Sequence, residues 1–321
     1  MKLKALSHYQ NDRDTRFGDC ILLYDTTSLI VYDCGHLEHK KYIESFLKCN
    51  PNIKQVKVVV SHNDSDHTNG ICVLLKWLSD NDYSVELYSH QYDKHLNAIL
   101  DAVDDKRRKI ESVKQSLQEE FNNIKDIINT AEQLNITLVE ALPNTIVGEA
   151  LIVGQTIEEF IEDAAKAIDN RESDMVETGY EKETVMNAVS IQIKCEIDKV
   201  GSILLCGDAS PAYLKNLNEY DLIQLPHHGQ LDDAKAIFDE LGGDAYEKNY
   251  LISDNTGSSS NTGGSEELVL FMKEENYSEA YNTKNGIVDS ANMMVKNIQV
   301  IERGNYLGDL DCIKEHNTGR N

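Results

Sequence analysis

Short apolar runs separated by polar turns fill the first ninety residues, and a helical spacing of apolar positions takes over after them. Cys20–Tyr24 (CILLY) and Ser28–Tyr32 (SLIVY) are apolar runs parted by Asp25–Thr27, the pattern of a β-hairpin. Asp33-Cys34-Gly35 closes the second run. Lys40–Cys49 has helical spacing, and Pro51 stops it. Val56–Val60 (VKVVV) is a β-branched run of the kind that forms a buried strand. It delivers the chain into Ser61–Gly70, SHNDSDHTNG.

From Ile71 to Leu142 the chain has neither Gly nor Pro. Leu96, Leu100, Val103, Ile110, Val113, Leu117, Phe121, Ile124, Ile128, Ala131 and Leu134 recur there three, four or seven apart. This predicts one long amphipathic helix, or a helical hairpin broken near Asp104. Arg107 interrupts the stripe and favours a bend around Asp104–Arg108. A single helix over Leu96–Leu134 would run roughly 57 Å, longer than one domain covers. The segment therefore either folds back over its own core or projects and pairs with another chain. Thr156-Ile-Glu-Glu159 fits a capping box, with a helix continuing through Ile168. Asn170–Thr184 and Ser253–Ser265 are polar and loop-like. Strands are expected again at Ala188–Ile197, Ser202–Cys206 and Leu222–Leu225. The sequence contains no internal repeat.

Composition narrows the setting. No run of 18 apolar residues occurs, so neither a membrane span nor a membrane partner is expected. Met1–Gln10 has two lysines but no apolar stretch, which argues against a signal peptide. Seven cysteines form no C-x-x-C pair and read as buried free thiols of a cytoplasmic protein. The net charge of −24 leaves no basic stripe for gripping long nucleic acid. The basic run Lys106–Lys109 (KRRK) lies among acids and reads as a solvated helix face. A phosphate substrate stays open, because bound metal ions reverse the local charge.

The candidate chemistry lies at strand ends. His62, Asp64, Asp66 and His67 fall within six residues directly after the VKVVV run. In a tight loop after a strand, His62, Asp64 and Asp66 share one parity, and His67 takes the turn. Imidazole with carboxylate suits zinc, manganese or iron. A polar surface loop is the plain alternative, but two further segments weigh against it. Leu204–Asp208 (LLCGD) places a carboxylate at the end of another apolar strand, though Asp208 could instead cap the turn before Ser210-Pro211. Leu225–Gly229 (LPHHG) places His227 and His228 at a third. One shared site explains three such strand ends better than separate accidents. Strand parity admits one of the two late histidines. His228 is favoured as ligand and His227 as the group facing substrate.

SHNDSDHTNG, LLCGDAS and QLPHHGQ together resemble the metallo-β-lactamase fold. Within it they are similar to the branch of ComEC-type competence hydrolases and choline-phosphate esterases, which carries H-x-D-x-D-H. Gly18-Asp19, Asp33-Cys34-Gly35, Asn187-Ala-Val-Ser190 and Tyr281–Gly286 resemble that branch's other turns, in order. Departures are Ile71 in place of a second glycine after Gly70, and Thr262–Ser265 where the branch has His and Pro. The commoner family histidine before the bridging Asp has no clear match. His90 and His95 are candidates by order alone, and His90 reads as structural.

The resemblance implies an α/β fold: an αβ/βα four-layer sandwich over residues 1–321, with a helical insertion at 93–174. It implies two divalent transition-metal ions, zinc or alternatively manganese, sharing Asp208. His62 and Asp64 would hold one ion; Asp66, His67 and a late histidine the other. Asp19 and Asp33 would orient the ligands. Asp66, His227 and Asn187 would act on substrate, although Asn187 fits a turn cap equally well. The implied activity is hydrolysis of a phosphodiester in a nucleic acid, nucleotide or headgroup, by analogy in a bacterial conflict or defence system. Alternatives are a thioester, lactone or β-lactam hydrolase, or a metal-binding scaffold that recruits a partner. The helical insertion would lie over the metal site as a lid or supply a homodimer or partner contact.

Overall fold

The computed structural model describes residues 1–7, 17–103, 109–170, 187, 189–254, 266–278, 280–291 and 307. The KRRK run up to Arg108, the Arg107 bend, and most of both expected polar loops lie outside these residues.

The expected hairpin is β2 (Ile21–Tyr24) and β3 (Ser28–Tyr32), antiparallel with Ile21 opposite Tyr32. The Asp25 carboxylate builds its turn by accepting from Thr27 N (2.6 Å) and Ser28 N (2.8 Å). β1 (Lys2–Ala5) runs antiparallel between β2 and β14 (Val288–Asp289). Beyond β3 the pairing turns parallel through β4 (Gln55–Val59), β5 (Ser84–Ser89) and β6 (Thr137–Glu140).

The second sheet repeats this plan. β7 (Ile146–Val147), β8 (Ala150–Val153), β9 (Gln192–Ile197) and β10 (Gly201–Leu205) are antiparallel. β11 (Leu222–Gln224), β12 (Asn249–Ile252) and β13 (Ala280–Asn282) then continue in parallel. The backbone topology thus repeats although the sequence does not.

Alternating side chains separate the layers. Ile21, Leu23, Ile30, Tyr32 and Val59 pack between the sheets against Ile193, Ile203, Leu205 and Leu251. Leu22, Leu29, Val31, Val56 and Val58 face the other way. They meet α1 (Leu37–Cys49) and, beyond the short α2 (Ser65–Thr68), α3 (Ile71–Asp80) through Ile43, Leu47, Leu74 and Leu78. Across the second sheet, Leu204, Ile223 and Tyr250 pack on Ala234, Ile237 and Phe238 of the helix Leu231–Leu241. Helix, sheet, sheet and helix make the expected four-layer sandwich, and each fully buried Leu, Ile or Val contributes about 1.5–3 kcal/mol.

The segment 93–174 differs from the helical insertion read in the sequence. It opens with α4 (Leu96–Ala102), α5 (Ile110–Glu120) and α6 (Asn122–Gln133), and closes with α7 (Ile157–Asn170). Between them β6 forms the edge of one sheet and β7, paired with β8, the edge of the other. β6 (TLVE) is partly polar and β7 (IV) and β8 (ALIV) are short and apolar, so no clean alternation marks them. A break also falls at Phe121, where no Gly or Pro announces it; the ring is buried and stacks on Tyr92 at 4.9 Å. The apolar stripe folds back onto the chain's own core. Ile99, Val113, Leu117, Phe121, Ile124 and Ile127 cluster with Phe160 and Ala164 of α7. The capping box is present, with Thr156 N donating to Glu159 Oε2 (2.7 Å) and Glu159 N to Thr156 Oγ1 (3.2 Å). No described helix is long and apolar enough to cross a membrane.

Candidate metal centre

The carboxyl ends of β3, β4, β10 and β11 point at one edge of the sandwich, the usual place for a site in sheets with parallel strands. Each delivers part of the motif set. β4 runs into Ser61 and His62. α2, with Asp64 at its N-cap, then turns Asp66 and His67 inward. A helical turn, not strand parity, therefore sets that half of the motif. The loop crosses so close to its neighbours that side chains are excluded there. A Cβ on Gly18 would lie 1.7 Å from Asp66 O, and one on Gly35 would lie 1.8 Å from it. Both glycines of the Gly18-Asp19 and Asp33-Cys34-Gly35 turns are fixed by this contact. Asp19 N and Cys34 N close it by donating to Asp66 O and His67 O, both at 2.9 Å.

Three imidazoles share one design. Ser61 Oγ donates to Asp33 Oδ2 (2.6 Å) and lies 2.9 Å from His62 Nδ1. His67 Nδ1 meets Asp33 Oδ2 at 2.8 Å. His228 Nδ1 meets Asp19 Oδ1 at 3.0 Å and Ser253 O at 2.8 Å. With Nδ1 so occupied, each ring turns Nε2 toward Asp208. His67 Nε2 lies 3.5 Å from Asp208 Oδ1; His228 Nε2 and His62 Nε2 lie 3.6 and 3.7 Å from Oδ2. Asp66 Oδ2 is 3.3 Å from His228 Nε2, and Asp64 Oδ2 is 4.0 Å from His62 Nε2.

This donor set fits a divalent cation. His62 Nε2, His67 Nε2, His228 Nε2 and Asp208 Oδ1 are buried without a hydrogen-bond partner among the described residues, yet they converge. Buried polar atoms left in that state cost free energy unless something satisfies them. Asp19 lies equally near, but both its oxygens are taken, by His228 and by Gln224 Nε2 (2.7 Å), so it orients ligands.

Electrostatics point the same way. Burial opposes charge on His67 and His228, but Asp208 and Asp19 outweigh it and raise both well above the ordinary histidine range. Burial favours a neutral Asp208, yet His228 and His67 hold it well below the carboxylate range. Burial and neighbouring His67 push His62 down to about 3. The cluster thus gathers positive charge around its carboxylates, the role a bound cation would take over.

The late histidines depart from the parity argument. Both have left-handed backbone, with φ 54° at His227 and 56° at His228 after Pro226, and both reach Asp208. His227 Nε2 lies 3.8 Å from Asp208 Oδ2, but its side chain is 25% exposed against 5% for His228. His228 belongs to a group of converging ligand atoms, and His227 does not. Asn187 is buried and donates to Asp64 Oδ2 at 3.2 Å. His90 lies outside the cluster, stacked on Phe160 at 4.6 Å with Nε2 2.9 Å from Val189 O. His95 pairs with Glu140.

Several residues of the site were missed in the sequence. Gln224 bridges the sheets by accepting from Cys206 N (3.0 Å) while donating to Asp19. Its signal was a glutamine inside the apolar run LIQL. Ser61, Ser253 and Asp233 gave none.

No protein-family model and no curated protein sequence matches the chain. Among solved structures it is similar to the short form of human tRNase Z: 16% identity, 88% of this chain and 91% of that one covered, TM-score 0.41. It is also similar to the metallo-beta-lactamase fold protein YhfI from Bacillus subtilis. There the identity is 12%, with 90% of this chain and 99% of that one covered, and the TM-score is 0.47.

Proposed function

We propose that this chain is a metal-dependent hydrolase acting on phosphodiesters. The observation that carries the reading is the convergence of three buried Nε2 atoms on Asp208, each ring held from behind. His62, Asp64 and Asp208 would hold one divalent ion; Asp66, His67, His228 and Asp208 would hold a second. Ions bound there would supply Lewis acidity and a nucleophilic water at neutral pH.

The chain's own groups do the rest. Three carboxylates, Asp64, Asp66 and Asp208, favour hard oxygen-seeking chemistry over the softer thiolate type. The side chains of Asp64 and Asp66 are 43% and 23% exposed, so both border the open side where substrate enters. Asp66 would share its carboxylate between the ion and the attacking water, whose proton it would take. Asn187 Nδ2, now on Asp64, is placed to donate to a phosphoryl oxygen. His227, beside Asp208 and partly exposed, would face the leaving oxygen and protonate it from Nε2 when its ring carries a proton on both nitrogens.

The test is a turnover screen of purified protein with Mn, Zn or Mg. Substrates are bis-p-nitrophenyl phosphate, single-stranded DNA, duplex DNA and RNA, beside a thioester, a lactone and a β-lactam. Turnover of a phosphodiester is expected. Turnover confined to the second group would replace this reading with the acyl-hydrolase one.

A further inference from the structure

Asp233 belongs to none of the sequence motifs. It lies in the first turn of the helix Leu231–Leu241, where an acid is ordinary because the helix dipole favours it. Ordinary first-turn acids face water, and this one does not. Its side chain is 6% exposed, and Oδ2 makes no hydrogen bond among the described residues. A buried carboxylate in that position is costly unless a partner nearby compensates it. Oδ2 faces His227 Nδ1 at 3.4 Å. From the other side of the same ring, Nε2 looks onto Asp208.

The arrangement matches the other three rings of the centre. Asp33 stands behind His67, Asp19 behind His228 and Ser61 behind His62. At 3.4 Å the contact is a close approach and not a formed hydrogen bond, and such contacts are often long or poorly aligned before substrate binds. We propose that Asp233 is the positioning residue of His227: its carboxylate accepts from Nδ1–H, which keeps the proton on Nδ1 and leaves Nε2 aimed at the mouth of the centre. The orientation matters because the left-handed backbone at His227 leaves the ring partly exposed, with no strand to fix it. A carboxylate on Nδ1 sets which nitrogen carries the proton. Asp233 would then act on turnover through His227, without touching substrate or metal. This inference rests on the phosphodiesterase reading only for its kinetic consequence.

The full chain tests it in two states. In metal-free protein carrying ¹⁵N-histidine, at mildly alkaline pH, long-range ¹H–¹⁵N spectra report the His227 tautomer without any activity. Wild type is expected to show Nδ1–H. Asp233→Ala should move the proton to Nε2, and Asp233→Asn, whose amide oxygen still accepts, should keep it on Nδ1. With metal bound, Asp233→Ala should lower kcat on bis-p-nitrophenyl phosphate about tenfold or more, part of the roughly 10²–10⁴-fold that a positioned acid–base group contributes. KM and metal content should stay unchanged. Adding Asp233→Ala to His227→Gln should cost nothing further, because both act through one ring. An unchanged tautomer in Asp233→Ala overturns the positioning role, and so do additive losses in the double variant. A wild type that cleaves no phosphodiester sinks the proposed function alone, and the tautomer spectra still decide the role of Asp233.

Discussion

Asn63 caps the helix that begins beside Asn123. Its Oδ1 accepts from Asn123 N (3.0 Å) and Ile124 N (3.1 Å), while its carbonyl accepts from Asn123 Nδ2 (2.7 Å). Asn63 stands between His62 and Asp64, so the residue that caps α6 also shapes the metal loop. Asn63→Ala should destabilise the protein by about 1 kcal/mol, the usual cost of a lost cap. It should also weaken metal binding. Thermal melts and metal titrations read the two effects; a variant with unchanged melting and unchanged affinity would show the contact to be idle.

The two late histidines should separate in their effects. His228 lies inside the cluster, with Nδ1 on Asp19 and Nε2 turned toward Asp66 and Asp208, so His228→Ala should lose metal. His227→Ala should retain metal and lose turnover by about 10²–10⁴-fold. Metal analysis of both variants beside their kinetics checks this. The reverse pattern would exchange the two assignments.

His90 gives a pH signature away from the ligands. Burial holds its pKa down to about 4 in the folded chain, although the Val189 carbonyl it binds acts to raise it. The folded value lies below the unfolded one of about 6.5, so the unfolded chain takes up the proton first. The stability from its neutral ring is present above pH 6.5 or so and is lost as pH falls toward 4, by about 3 kcal/mol at most. Urea midpoints of wild type and His90→Gln across that range should show a shallower acid decline in the variant. Parallel declines would mean that the ring takes up its proton freely in the folded state.

Much of the fold was legible because its signals are local. The hairpin at Asp25, the VKVVV strand and the Thr156–Glu159 box each state their geometry within a few residues. The metal motifs were legible for a related reason: ligand-type side chains after apolar runs stand out wherever the chain later brings them. What stayed hidden was set by distant partners. The cap on α6 comes from Asn63, and the break at Phe121 comes from a ring buried on Tyr92. β6 and β7 are short edge strands, and β8 lies next to an edge; their burial depends on neighbours from elsewhere in the chain. The parity argument favoured His228 over His227, but two consecutive left-handed residues set their directions, and these cannot be read from Pro-His-His-Gly. Asp233 looked like any first-turn acid until its burial was known.

The central claim is that His62, Asp64, Asp66, His67, Asp208 and His228 bind metal. Elemental analysis of freshly purified chain, repeated after soaking in Zn or Mn and desalting, tests it most directly. The account predicts about two divalent transition-metal ions per chain, with Asp208→Ala lowering the content at both positions because its carboxylate faces every ligand ring. A folded wild-type protein that carries no transition metal and takes up none on soaking would contradict it.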